Sequence, residues 1–229
     1  MPESPHTEPI APRDAGMTLT ELLVSMVIFT IAIAMVFSAV ILTMQWSRDT
    51  QQTADANTEL RQALAQIDRQ VRSGNVLFSP AEEPSHLATC YTIGAASDQA
   101  GSCMRIFTQS NGDEKCVQWQ IVEDPASAVG THLLQTRSWE REWQTSGVVS
   151  GWRTVARDLV FDPAGPVDQA PFTLLGTNNA NPYGDRSLLV RLQVMDERRD
   201  VPISITATLT GRNTVYGYDN GECIPVPPG

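Results

Sequence analysis

This sequence is poor in the residue types that catalysis and nucleic-acid binding draw on. Its 229 residues hold three histidines, His6, His86 and His132, scattered with no H-E-x-x-H spacing. G-x-S-x-G, G-x-G-x-x-G and P-loop spacings are absent too, so no motif announces a nucleophile, a phosphate cradle, a metal site or a cofactor. Basic charge is scarce: 16 Lys and Arg stand against 26 Asp and Glu, a formal net charge of −10. Affinity for phosphates comes mainly from Lys and Arg, so this balance disfavours non-specific binding to DNA or anionic lipid. Cysteine is absent from the N-terminal third, and the four that occur, Cys90, Cys103, Cys116 and Cys223, show no C-x-x-C spacing. Confined to one part of the chain and even in number, they favour disulfides over a cytosolic metal site.

One stretch lacks charge, glycine and proline altogether. Residues 22–44, LLVSMVIFTIAIAMVFSAVILTM, are 23 in number, and as a helix they extend roughly 34 Å, enough to cross a hydrocarbon core of about 30 Å. Glu21 is the ionisable residue at its start. The preceding segment, MPESPHTEPIAPRDAG, has four prolines and no apolar run. It is too polar for a secretory signal peptide, whose small-residue cleavage site follows its apolar core. Here the small residue, Gly16, precedes the apolar core. Cutting there leaves the helix on the product. The segment carries Arg13 against Glu3, Glu8 and Asp14, so its removal would leave a net charge of −8.

The run Gly16-Met17-Thr18-Leu19-Thr20-Glu21 ahead of that helix resembles the processing and methylation segment of type IV prepilins and type II secretion pseudopilins. The resemblance implies cleavage after Gly16 by a prepilin peptidase and N-methylation of Met17, which stands where the family usually has phenylalanine. It also implies assembly roles for Leu19, the apolar third position, and Glu21, which would pair with the N-terminal amine of a neighbouring subunit. A carboxylate at membrane depth costs about 2.5–3.5 kcal/mol on insertion scales, so it persists where it finds a partner or a function. As a plain alternative, Glu21 sits among the headgroups and helps start the helix. Ser38 occupies the position where many major pilins have a helix-breaking proline, and with Met17 this points away from a major subunit. The implied partners are other pilin or pseudopilin subunits, the peptidase and assembly-platform proteins in the membrane. The implied course runs from the cytoplasmic (inner) membrane to a cell-surface or periplasmic filament.

Beyond Met44 the helix continues as a polar one. Leu60, Leu64, Ile67 and Val71 recur at spacings of four, three and four, on one face. Arg69 and Arg72 suit the last turn and Gly74 is a stop signal. A single helix over residues 18–73 is predicted, on the order of 84 Å long. It divides the chain into a leader (1–16), a membrane and assembly half (17–45), an amphipathic half (46–74) and a head (75–229).

The head reads as short β runs between turn clusters: 86–93, 104–108, 116–122, 132–143, 152–161, 187–195 and 203–210. Asn111-Gly112 signals a hairpin between the second and third of these. The expected class is α+β, an amphipathic helix packed on an antiparallel sheet, the ladle form of pilins. By length, strand order and the LRQALAQIDRQVRSG segment the head resembles J-type minor pseudopilins and pilW-like minor pilins. Four cysteines allow three connectivities. Cys90 with Cys103, and Cys116 with Cys223, is the pairing favoured.

Two surface motifs carry weaker signals. Alternation puts Arg137, Trp139, Arg141 and Trp143 on one strand face, able to stack on bases or sugars if exposed. Packed tryptophans covered by arginine stems are the plainer reading, since Glu140 and Glu142 lie alongside. The loop NNANPYGDRS offers oxygens from Asn178, Asn179, Asn181 and Asp185 but lacks the regular calcium-loop spacing, and a solvated turn accounts for it. Two functions thus stand: a minor filament subunit, or a membrane-tethered binding domain with an adhesive or DNA-uptake face.

Overall fold

The computed structural model describes residues 16–109, 112–127, 130–176, 187–195, 202–211 and 221–228, without the side chains of Asp49, Gln52 and Thr53. The leader before Gly16, Asn111 and the loop from Asn178 to Asp185 lie outside the described residues. The chain divides into two units, residues 1–51 and 52–229.

Helix α1 runs Leu19–Arg72, within one residue of the predicted bounds at each end. Thr18 precedes it as the cap, its Oγ1 3.4 Å from the Glu21 backbone N–H, the first half of a T-x-x-E capping box. In the first unit the apolar side chains are exposed all round, and Leu19–Arg48 is long and apolar enough to cross a membrane. Its hydroxyls do not break that character. Ser25 donates to Glu21 O, Thr30 to Val27 O, Ser38 to Ala34 O and Thr43 to Ala39 O, each at 2.8–2.9 Å. Donating to a carbonyl of the preceding turn satisfies each hydroxyl where no water is available.

In the second unit α1 turns amphipathic. Leu60, Ala63, Ile67 and Val71 are fully buried and Ala56 and Leu64 partly so, a stripe that includes the four predicted positions and adds two alanines. It packs on an antiparallel sheet whose strands are β1 (Gly74–Leu77), β2 (Ala100–Gly101), β3 (Cys103–Thr108), β4 (Lys115–Glu123), β5 (His132–Glu140), β6 (Arg153–Leu159), β7 (Phe172–Leu175), β8 (Ser187–Val194) and β9 (Ile203–Thr210). The order is β1-β3-β4-β5-β6-β8-β7-β2, with β9 on the far side of β8. Only Ser102 separates β2 from β3, so the sheet curls back on itself. Met104, Ile106, Val117, Trp119, Ile121 and Leu134 face α1, and the Trp119 indole N–H donates to Gln70 Oε1 at 2.7 Å. Each large apolar side chain so buried contributes about 1.5–3 kcal/mol. The class is α+β, as expected.

Several elements differ from the sequence reading. Residues 86–93 form no strand. The N–H groups of His86 and Leu87 both go to Glu83 O and that of Cys90 to Leu87 O, closing a 3₁₀ turn (Pro80–Ser85) and its exit; only Thr92 bridges to the sheet. Strand β5 ends at Glu140 because a short helix, α2 (Trp143–Ser146), follows, closed by Gly147 at φ 70°. The β3–β4 hairpin is present with Thr108 opposite Lys115, so its loop is longer than a two-residue Asn-Gly turn. Strands β1, β2 and β7 were not expected; each is four residues or fewer.

Candidate functional sites: the N-terminal motif and a strapped sheet face

At the N-terminal motif, Gly16, Met17 and Thr18 lie outside any helix or strand, exposed, with Met17 and Leu19 at 72% and 80% exposure. A Cβ added at Gly16 would meet nothing within 4 Å, and its φ is not positive. Among the described residues nothing imposes a steric need for glycine there. A requirement for a small residue must come from whatever binds the segment. Glu21 occupies the first turn of α1, exposed, and no cation of the described residues pairs with it.

The second site lies on the sheet face turned away from α1. Register sets its side chains in rungs across β3, β4 and β5: Arg105 opposite Gln118 opposite Arg137, and Phe107 opposite Cys116 opposite Trp139. The polar rung is buried, with Arg105, Gln118 and Arg137 at 2%, 0% and 3% exposure. Burial of charge demands partners, and each is found. Glu83, from the 3₁₀ turn, accepts from Arg105 Nε at 3.1 Å and from Gln118 Nε2 at 2.9 Å. Gln118 Oε1 accepts from Arg137 Nε and Nη2 at 3.0 and 2.9 Å. Arg105 also lies over the Phe78 ring, and Arg137 over that of Trp152.

One carboxylate thus serves two guanidinium groups. Burial pushes the Glu83 carboxyl above its ordinary value, while Arg105 and Gln118 pull it back. Burial likewise lowers Arg105 and Arg137, with Glu83 opposing. The remaining donors are met by the backbone of residues 222–228, a strap laid over the rung. Arg105 Nη1 donates to Cys223 O at 3.1 Å, and Arg137 Nη2 and Nη1 donate to Pro227 O and Pro228 O, both at 2.7 Å. The Trp143 indole N–H donates to Pro225 O at 2.7 Å. Arg141 Nε stands 2.8 Å from Glu222 Oε2, a charge contact without hydrogen-bond alignment. The peptide bond before Pro225 is cis.

Disulfides pin both flanks. Cys116 joins Cys223, fixing the strap to the rung beside Arg137, and Cys90 joins Cys103. Both pairs match the favoured connectivity. The four residues of the expected stacking face are only partly brought together. Arg137 and Trp139 share the face of β5 but are buried under the strap; Arg141 sits in the turn after the strand and Trp143 opens α2. Strand alternation ends before it reaches them. Sequence reading missed Glu83, Arg105 and Gln118. For Arg105 and Gln118 the signal is a polar residue set within an otherwise apolar run, CMRIFT and CVQWQIV; Glu83, in PAEEPS, has no such signal. No group of His, Cys, Asp and Glu suited to a metal occurs among the described residues.

Residues 12–37 match the family model described as the prokaryotic N-terminal methylation motif. This covers the Gly16–Met17 junction, Glu21 and most of the apolar segment, and it supports a type IV pilin-like prepilin, a structural rather than an enzymatic class. No curated protein and no solved structure matches the chain. The motif and the exposed apolar helix fit a precursor anchored in the inner membrane.

Proposed function

We propose that the chain is cut between Gly16 and Met17 by a prepilin peptidase, N-methylated at Met17, and assembled as a minor subunit of a type IV pilus or type II secretion pseudopilus. The observation that carries this reading is the methylation-motif match over residues 12–37. The accessible, structureless Gly16–Met17 bond ahead of a capped apolar helix is consistent with it. Packing of apolar helices from neighbouring subunits would hold the filament together, with Leu19 at the entry and Glu21 pairing with a neighbour's N-terminal amine. Partners on this reading are other pilin or pseudopilin subunits, the peptidase and the membrane assembly platform. The alternative, a tethered domain binding through Arg137, Trp139, Arg141 and Trp143, has less support, because Arg137 and Trp139 are covered.

The test is the N-terminal residue and mass of the chain in a sheared cell-surface or periplasmic filament fraction. An N-methylated Met17 terminus is expected. An uncut Met1 terminus found only in membranes would end the filament reading and promote the tethered domain.

A further inference from the structure

The strap and the face beneath it are complementary in a specific chemical sense. Three of the strap's last four described residues are prolines, Pro225-Val226-Pro227-Pro228, and proline offers a carbonyl acceptor but no N–H. The side chains that meet it, Arg105, Arg137 and Trp143, have donors and no acceptors. Four strap carbonyls, those of Cys223, Pro225, Pro227 and Pro228, are each taken by one of these donors at 2.7–3.1 Å. Among the described residues no strand pairing and no backbone–backbone hydrogen bond ties 222–228 to the sheet. The strap is held as a ligand is held, by side chains and one disulfide. A further donor waits beneath it: the buried Trp139 indole N–H has no acceptor among the described residues.

We propose that this face is a recognition groove for proline-rich segments, that residues 222–228 are its resident ligand, and that it also takes the same strap from a second copy of this chain. Whatever satisfies Arg105, Arg137 and Trp143 within one molecule satisfies them equally from another. The Cys116–Cys223 bond decides between the two arrangements, because it closes the groove over the chain's own strap. Without it, the groove and the strap are separate, matching halves.

Split cysteines test this. Full-length chains carrying Cys116→Ser and Cys223→Ser are mixed in detergent micelles and oxidised, so that only a strap from the first can reach Cys116 of the second. The expected product is a covalent heterodimer whose mapped cross-link joins Cys223 to Cys116. Such a bond needs the two Cα atoms within about 7 Å, so it reports seating in the groove. Replacing Pro225, Pro227 and Pro228 of the donor strap by glycine keeps every carbonyl but loses pre-organisation, and should cut the yield about tenfold. No mapped 116–223 cross-link between chains overturns the proposal, as does a yield that the glycine strap leaves unchanged.

A second measurement needs no cross-link. In the Cys223→Ser chain, maleimide labelling of Cys116 should be slowed several-fold by a blocked peptide of residues 221–228 with serine at 223. It is supplied at about 5 mM to compete with a tether whose effective concentration is millimolar. Labelling indifferent to the peptide overturns the proposal even if either serine variant folds poorly in the mixing experiment.

Discussion

Gln118 and Arg137 face each other directly across β4 and β5, and two guanidinium nitrogens converge on the single Gln118 amide oxygen at 3.0 and 2.9 Å. The amide's other end donates to Glu83. Its orientation is therefore fixed from both sides: turned over, it would present a donor to Arg137 and an acceptor to a carboxylate. Gln118 is the neutral spacer by which one buried acid serves two buried bases.

Removing that spacer should be costly. Gln118→Leu keeps volume but strands a Glu83 oxygen and two Arg137 donors in a buried site. Breaking a buried charged network by removal of one member typically costs about 3–5 kcal/mol. Urea unfolding should show a correspondingly lower midpoint, with the slope unchanged if the unfolded state is the same. A midpoint equal to wild type would mean that the network contributes nothing net.

The Glu83 carboxyl gives a pH dependence whose sign is fixed by its raised value. In the unfolded chain it ionises at an ordinary carboxylate pKa; in the fold, burial holds its proton to higher pH. Its stabilising contribution is therefore fully present below the ordinary value and is lost as pH rises through the raised one. The stability difference between wild type and Glu83→Gln should shift against wild type across that window. Chemical denaturation at a series of pH values from the ordinary carboxylate range upward reads it. A difference moving the opposite way would mean that Arg105 and Gln118 outweigh burial.

The two disulfides should differ in worth. Cys90–Cys103 spans a sequence separation of 13 and Cys116–Cys223 one of 107. Loop-closure entropy then predicts about 3 kcal/mol for the first and about 4–5 kcal/mol for the second. Thermal unfolding of Cys90→Ser/Cys103→Ser and Cys116→Ser/Cys223→Ser should rank them in that order. The reverse ranking would show that the strap's own contacts hold it without the bond.

At the N-terminal motif, folding and processing should separate. A side chain at Gly16 would meet nothing within 4 Å among the described residues, so Gly16→Val should change head stability by less than about 0.5 kcal/mol. On the proposed function it should block cleavage, leaving the full precursor mass in membranes. Normal cleavage of Gly16→Val would remove the argument that glycine serves the peptidase.

What could be read from the sequence tracks how local its physics is. The bounds of α1, its apolar half and the stripe from Leu60 to Val71 follow from periodicity along one element. Strands β8 and β9 were equally plain. The Arg105–Gln118–Arg137 rung is not local: it exists only once the β3–β4 and β4–β5 registers are set, which no single strand specifies. Arg137 and Trp139 stand out as a pair in the sequence, yet whether they face water depends on a seven-residue strap with no period at all. Residues 86–93 misled because an apolar, β-prone composition says nothing about N–H groups already taken by Glu83 and Leu87 carbonyls.

The hydroxyls of Ser25, Thr30, Ser38 and Thr43 are all spent on their own helix. Seen from outside, residues 22–44 therefore present no charge and no free proton from these hydroxyls, and a neighbour sliding past by one turn meets a similar apolar surface. The nearest charges stand beyond its two ends, at Glu21 and Arg48. The segment works as a ruler with a blank shaft: it can specify a length, but any position along it must be read from an end.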